Sequence, residues 1–185
     1  MAITTLDART ALVLIDLQAG IVALPTAHPT SEVVRRAAAL AEAFRARGLP
    51  VVLVHVDGVA PGRSEEGVRI TSFPPGWTEF VPELGRQPGD IVVSKRTWGA
   101  FTGTELEAKL RGAGVTQIVL AGVATSAGVE STARHAHELG FHVTFAVDAM
   151  TDMSEEAHAN SVRRIFPRIG ETGTTEDIIG LLARV

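Results

Sequence analysis

The stretch from Gln117 to Arg134 constrains the fold of this chain more than any other. It opens with Gln117-Ile118-Val119-Leu120-Ala121, an apolar, β-rich run of the kind that forms a strand buried on both faces. Gly122 breaks the run, and small residues follow at Ala124, Ala127 and Gly128. Val129, Ala133, Ala136 and Leu139 then recur at three- and four-residue steps, with Gly140 as a helix stop. The order is strand, tight turn, helix. In an open parallel sheet, ligands bind at the carboxyl ends of strands, and the following helix points its free N–H groups there. Small side chains at such a turn let a substrate approach the backbone closely.

The rest of the chain repeats that alternation. Residues 11–15 (ALVLI), 50–56 (PVVLVHV), 90–95 (DIVVSK) and 142–148 (HVTFAVD) are strand patterns, and residues 168–172 read as a short sixth strand. Between them, Thr30 or Ser31 caps a helix whose inward stripe is Val33, Ala37, Leu40 and Phe44, closed by Gly48. Thr104 and Glu107 have capping-box spacing ahead of Leu106 and Leu110. Asp152 and Glu155 mark a helix start with Val162 and Ile165 on its apolar side, and Thr174 starts a last helix with Ile178, Leu181 and Leu182. Strands alternating with helices predict a three-layer α/β/α domain, with a six-stranded, mostly parallel, Rossmann-like sheet and right-handed crossovers. No linker, repeat or low-complexity segment divides residues 1–185, so a single domain is expected. Residues 57–89 break the pattern with many glycines and prolines, and a connection this long is usually a lid or binding loop.

Composition narrows the function classes. A net charge of −4, with no run of Lys and Arg, argues against a nucleic-acid binder. There is no cysteine, which excludes disulfides, thiolate metal sites and a cysteine nucleophile. No apolar stretch reaches spanning length, and the first residues lack a signal peptide's basic and apolar segments, so a cytoplasmic protein with no membrane partner is expected.

Asp16 and Lys95 each lie just beyond a strand on the same edge of the sheet as the Gly128 turn. An aspartate there can act as acid or base, and a nearby ammonium can hold it or bind a substrate carboxylate. The helix start after Thr125 offers N–H donors for developing negative charge. The alternative reading has Asp16 capping a loop and Lys95 solvated. His55 and Asp57 alternate along a strand end as metal ligands sometimes do, but no further histidine clusters beside them, and no metal or cofactor is expected. His135, His137 and His158 read as solvated or structural. Thr125 and Ser126 sit at the critical turn without a base nearby in the pattern, so helix capping is the better role for Ser126. Trp98 and Phe101 follow Lys95, and Trp77 lies in the long loop; together they suggest a pocket wall, with core packing as the alternative.

Four segments in this order resemble the isochorismatase-like hydrolase superfamily: residues 14–18 (LIDLQ), 95–106 (KRTWGAFTGTEL), 122–126 (GVATS) running into Thr132-Ala133, and 147–149 (VDA). The resemblance implies that family's six-stranded parallel sheet, a homo-oligomer and a small-molecule substrate. Most members use an aspartate, a lysine and a cysteine. Asp16 and Lys95 fall on the first two, and Gly128 falls on the cysteine. Thiol attack on an amide is therefore impossible, whereas the isochorismatase branch is similar in having glycine at that place. In that branch, an aspartate protonates the terminal carbon of a vinyl ether and water completes the cleavage. Gln18, Trp98, Phe101, Ala124 and Thr125 are the expected substrate-binding residues, and the resemblance places a non-proline cis peptide at Val123–Ala124. The histidine-rich metal pattern of nicotinamidases is not seen after the second strand.

Three readings stay open: a cysteine-independent hydrolase acting on a small anionic substrate, an amidase-like enzyme using water activated by Asp16, and a non-catalytic binding member. Arg63, Arg69 and Arg96 are the candidate carboxylate-binding groups for the first.

Overall fold

The computed structural model describes residues 3–65 and 72–184. Six parallel strands form one sheet: β1 (Thr10–Ile15), β2 (Val51–Val56), β3 (Ile91–Lys95), β4 (Gln117–Val123), β5 (His142–Thr151) and β6 (Glu171–Gly173). Their order is β3-β2-β1-β4-β5-β6. The chain builds outward from β1 on one side and then from β4 on the other. The order reverses between β1 and β4, and the crevice outside the carboxyl ends of these two strands is where such a sheet binds ligands.

Every residue of β1 is buried, because both faces of the sheet are covered. Leu12 and Leu14 enter one core with Val33, Ala37, Leu40 and Phe44 of the helix Thr30–Ala46. Ala11, Val13 and Ile15 enter the other with Leu106, Leu110, Ala133 and Ala136. The helices, in chain order, are α1 (Ala19–Val22), α2 (Thr30–Ala46), α3 (Leu106–Gly112), α4 (Glu130–Glu138), α5 (Glu155–Asn160), α6 (Phe166–Ile169) and α7 (Thr175–Leu182). Gly122 is required by its backbone: φ is +123°, and a Cβ there would stand 2.1 Å from the Ile15 carbonyl oxygen.

Three helix starts and one strand start differ from expectation. Thr30 does not cap α2; its hydroxyl donates to the Val22 carbonyl (2.9 Å) and ties α2 to the end of α1. The Thr104/Glu107 capping box does not form: the Thr104 hydroxyl donates to the Ala100 carbonyl and accepts from the Leu106 N–H (3.2 Å), not the Glu107 N–H, and Glu107 pairs with Arg111. Ser154, not Asp152, caps α5 by accepting from the Ala157 N–H at 3.2 Å. The sixth strand starts at Glu171, since Phe166–Ile169 is helical. Thr174 does begin α7, in a full capping box with Asp177.

Candidate active site

The site is built where the sheet order reverses. Asp16 follows the last residue of β1 and takes a left-handed backbone, φ +52°, one of the few non-glycine conformations an aspartate tolerates. Its N–H still donates to the Val54 carbonyl (2.9 Å), so the β2 ladder fixes its position. Lys95 ends β3, two strands away, and its side chain reaches Asp16: Nζ donates to Oδ2 at 2.7 Å and to the Thr97 carbonyl at 3.2 Å. Both residues are buried, at 6% and 3% exposure.

The Gly128 turn closes this arrangement. After the cis peptide Val123–Ala124, residues Thr125–Val129 form one wide π-helical turn leading into α4. A Cβ on Gly128 would stand 3.4 Å from Asp16 Oδ2 and 2.9 Å from Ile15 Cγ2. Asp16, Lys95 and Gly128 therefore meet at one point, as the sequence suggested.

Electrostatics at that point are unusual. Burial raises the Asp16 carboxyl from 3.8 to about 6, and Lys95 opposes the shift through its charge and hydrogen bond without cancelling it. Asp16 Oδ1 is buried without a hydrogen-bond partner among the described residues. A carboxylate deprived of water on one oxygen is disfavoured, which is the physical cause of the rise. The group can thus gain or lose a proton near neutral pH, as an acid or base catalyst must.

A cavity of about 430 Å³ opens onto these residues, with Ala124, Ala127 and Gly128 on one wall and Trp77 and Trp98 on another. Trp98 stands at the mouth, 68% exposed. Three expected substrate residues lie elsewhere. Phe101 is in the core behind α4, with its ring 5.4 Å from His135 and 6.0 Å from Phe141. Gln18 is fully buried; its amide accepts from the Val56 N–H (2.8 Å) and donates to the Val56 and Trp77 carbonyls. It holds the long loop onto α1 and so places Trp77. Thr125 is also fully buried, and its hydroxyl donates to the Thr151 carbonyl (3.1 Å). With that proton committed, His158 Nδ1 is the donor in the 2.8 Å contact to Thr125 Oγ1. His158 was read as solvated or structural; it is half-buried beneath the turn, and burial and nearby His28 hold its pKa below the usual value.

Ser126 does not cap the following helix. Asp152 does the anchoring, accepting from the Ser126 N–H (2.7 Å) and hydroxyl (2.8 Å). The N–H groups of Ala127 and Val129 turn back to the Ala124 carbonyl. Three of the donors expected to face a substrate are therefore occupied. The contacts of Asp152 and His158 with the turn, and the place of His28 beside His158, were not signalled by the sequence, since these residues lie far from the turn along the chain and carry no motif.

Of the candidate arginines, Arg96 lines the cavity mouth and pairs with Asp57 at 3.6 Å, Arg63 is exposed and does not line the cavity, and Arg69 lies outside the described residues. His55 and Asp57 do not converge: His55 Nδ1 meets the Thr78 carbonyl (3.0 Å), while Asp57 accepts from the Ser94 hydroxyl (2.6 Å). Among the described residues no three carboxylate or imidazole groups gather to hold a metal, and no helix is long and apolar enough to cross a membrane.

A six-stranded parallel sheet with a buried Asp–Lys pair at its switch point is the frame of a hydrolase class with known members. The isochorismatase domain matches residues 10–177, and the chain belongs to that family of hydrolases. It is 44% identical over 178 residues to the uncharacterized isochorismatase family protein YwoC of Bacillus subtilis (strain 168), covering 92% of this chain and 93% of that one. An isochorismatase family protein from Burkholderia thailandensis superposes with a TM-score of 0.93 at 43% identity, covering 98% of this chain and all of that one. The ureidoacrylate amidohydrolase RutB of Variovorax paradoxus (strain S110) is 34% identical over 106 residues, 56% of this chain and 42% of that protein.

Proposed function

We propose that this protein is a cysteine-independent hydrolase that cleaves a vinyl ether in a small substrate, with Asp16 as general acid and Lys95 as its partner. The observation that carries the reading is the Asp16 carboxyl, raised to about 6 by burial and set beside a bare glycine in an open cavity. Gly128 takes the place of the family's nucleophile, and it leaves room for substrate against the acid.

The chemistry needs nothing beyond water. The Asp16 carboxyl gives its proton to the terminal methylene carbon, whose double-bond electrons form the new C–H bond. Positive charge then rests on the ether carbon and oxygen. Lys95, 2.7 Å from Oδ2, stabilises the carboxylate left behind. Water adds its oxygen to the cationic carbon and returns a proton to Asp16. The resulting hemiketal passes its hydroxyl proton to the leaving oxygen as the C–O bond breaks, giving an alcohol and a ketone. Arg96 at the mouth supports an anionic group on the substrate.

A second reading is amide hydrolysis, favoured by the amidohydrolase among the relatives. Here the ionised Asp16 removes a proton from water, which attacks the carbonyl carbon. The two readings separate on one pair of probes. Purified protein is given 2-phenoxyacrylate and, separately, benzamide, and released phenol or ammonia is measured. Phenol release with no ammonia supports the ether reading; ammonia alone overturns it. Gly128→Cys places a thiol against Asp16 and should bring sensitivity to iodoacetamide, which the cysteine-free parent lacks.

A further inference from the structure

The walls of the cavity say what kind of substrate enters. Among the described residues its charged groups are Asp16, Lys95 and Arg96, and each is paired: Asp16 with Lys95 at 2.7 Å, Arg96 with Asp57 at 3.6 Å. No uncompensated cation faces the interior among them. A dianionic substrate would have to break one of these pairs and lose its own hydration.

Apart from Thr97, the remaining lining side chains are apolar, and part of that surface is aromatic by construction. Phe73 and Trp77 stack at 4.1 Å with 14° between their planes. The Trp77 indole rests directly on Gly20 of α1, where a Cβ would stand 1.9 Å from Nε1. The Gly20 N–H donates to the Trp77 carbonyl at 2.9 Å, so backbone and ring are held by the same residue. At the mouth, the Arg96 stem packs on Gly58 in the same way, with Cγ 2.7 Å from a Cβ position. The rim is apolar too. Leu24, Val59, Trp98 and Met153 are the exposed large hydrophobic residues among those described, and all four line this cavity. Its volume, about 430 Å³, lies in the range of roughly 300–1,000 Å³ that takes ring-bearing ligands.

We propose that the substrate carries an uncharged, ring-sized apolar arm packed against Phe73 and Trp77, with at most one anionic group, held at Arg96. Gly20 is then a specificity-determining residue, since a side chain there would overlap the indole. The inference rests on the cavity being the active site, but not on which bond is cleaved there.

Binding can be read without turnover. The chain has two tryptophans, Trp77 and Trp98, and both line the cavity, so intrinsic fluorescence reports occupancy. Ethers that offer neither a vinyl group nor an amide serve as probes: phenoxyacetate, 2-phenoxyethanol, methoxyacetate and 3-(carboxymethoxy)benzoate. Phenoxyacetate should bind roughly tenfold to a hundredfold more tightly than methoxyacetate, the range expected for burying a ring. The neutral phenoxyethanol should bind within about tenfold of phenoxyacetate, and the dianion no more tightly than phenoxyacetate. Gly20→Ala should weaken phenoxyacetate about tenfold by displacing the indole, while methoxyacetate is unchanged. If Gly20→Ala does not fold, Trp77→Leu carries the same test through the remaining Trp98. Methoxyacetate binding as tightly as phenoxyacetate, or the dianion binding more tightly than both, overturns the proposal. Because no probe reacts, such a result leaves acid catalysis by Asp16 standing, and a failure of acid catalysis leaves the arm standing.

Discussion

Two buried polar clusters flank the turn Thr125–Val129, and they follow opposite rules. On one side are Asp16 and Lys95, with one short contact between them and one carboxylate oxygen left without a partner among the described residues. On the other are Thr125, Ser126, Thr151, Asp152 and His158, where no buried side-chain atom lacks a partner among the described residues. Asp152 Oδ2 takes two donors from Ser126, and its Oδ1 takes the Ser154 N–H at 3.2 Å. The Thr125 hydroxyl donates to Thr151 and accepts from His158. A satisfied network in a low-dielectric interior fixes geometry. An unsatisfied ionisable group there is costly, and proteins keep such groups mainly where they act. The same short turn thus has a scaffold behind it and a reactive pair in front.

Replacing the reactive group tests this most severely. Asp16→Asn keeps the shape and an acceptor for Lys95 but removes the acid. Turnover of 2-phenoxyacrylate should fall by about 10²–10⁴-fold, while circular dichroism and phenoxyacetate binding stay close to the parent. Full turnover in this variant would end the acid role and make the site a binding pocket.

The pH profile sharpens the same contrast. Burial places the Asp16 carboxyl at about 6 instead of 3.8, so the acid form dominates below that value and is lost above it. A general acid predicts a rate that falls about tenfold per pH unit above about 6, and the slope should vanish in Asp16→Asn. A rate that instead rises through pH 6 and levels off would mark Asp16 as a base and favour amide cleavage.

The scaffold side should respond in stability instead. Asp152→Ala leaves the Ser126 N–H and hydroxyl without their acceptor, a loss of about 2 kcal/mol for a buried charged partner. Urea denaturation should show it. The turnover change should stay below about tenfold, with the limb near pH 6 unmoved. A shifted limb would mean that Asp152 couples electrostatically to Asp16, and the two clusters would be one.

The sequence made the reactive side legible and the scaffold side almost invisible, for a physical reason. Asp16, Lys95 and Gly128 each end or follow an apolar strand, so the periodicity that predicts the sheet also predicts where they gather. The strands and the parallel order came from the same signal. Asp152, His158 and His28 meet through a register shift in β5 and a run of short helices, neither of which has a periodic signature. Thr104 and Glu107 show the converse failure. Their spacing fits a capping box, yet the hydroxyl donates to the Ala100 carbonyl and accepts from the Leu106 N–H, one residue short of Glu107. Local motifs offer a partner, and the path of the neighbouring backbone decides whether it is taken. Phe101 erred similarly: one loop residue faces the cavity at Trp98, and three positions on the chain has turned into the core.

The smallest expected effect belongs to Thr125→Val, and it tests a residue whose role changed between sequence and structure. From the sequence Thr125 is expected at the substrate; by geometry it faces away, fully buried, with its hydroxyl between the Thr151 carbonyl and His158. Valine keeps the β-branched shape, so the turn is not reshaped. What is lost is one hydrogen bond to a backbone carbonyl and one from an imidazole. The Thr151 carbonyl loses a donor inside the protein. His158 is only half-buried, so water replaces its partner in part. The cost should sit at about 1 kcal/mol, the low end for a buried hydroxyl. KM for 2-phenoxyacrylate and the pH limb should be those of the parent. A KM raised about tenfold at unchanged stability would put the hydroxyl in the cavity and erase the division between the two sides of the turn. A stability loss with unchanged kinetics places Thr125 on the scaffold side, where its two hydrogen bonds already put it.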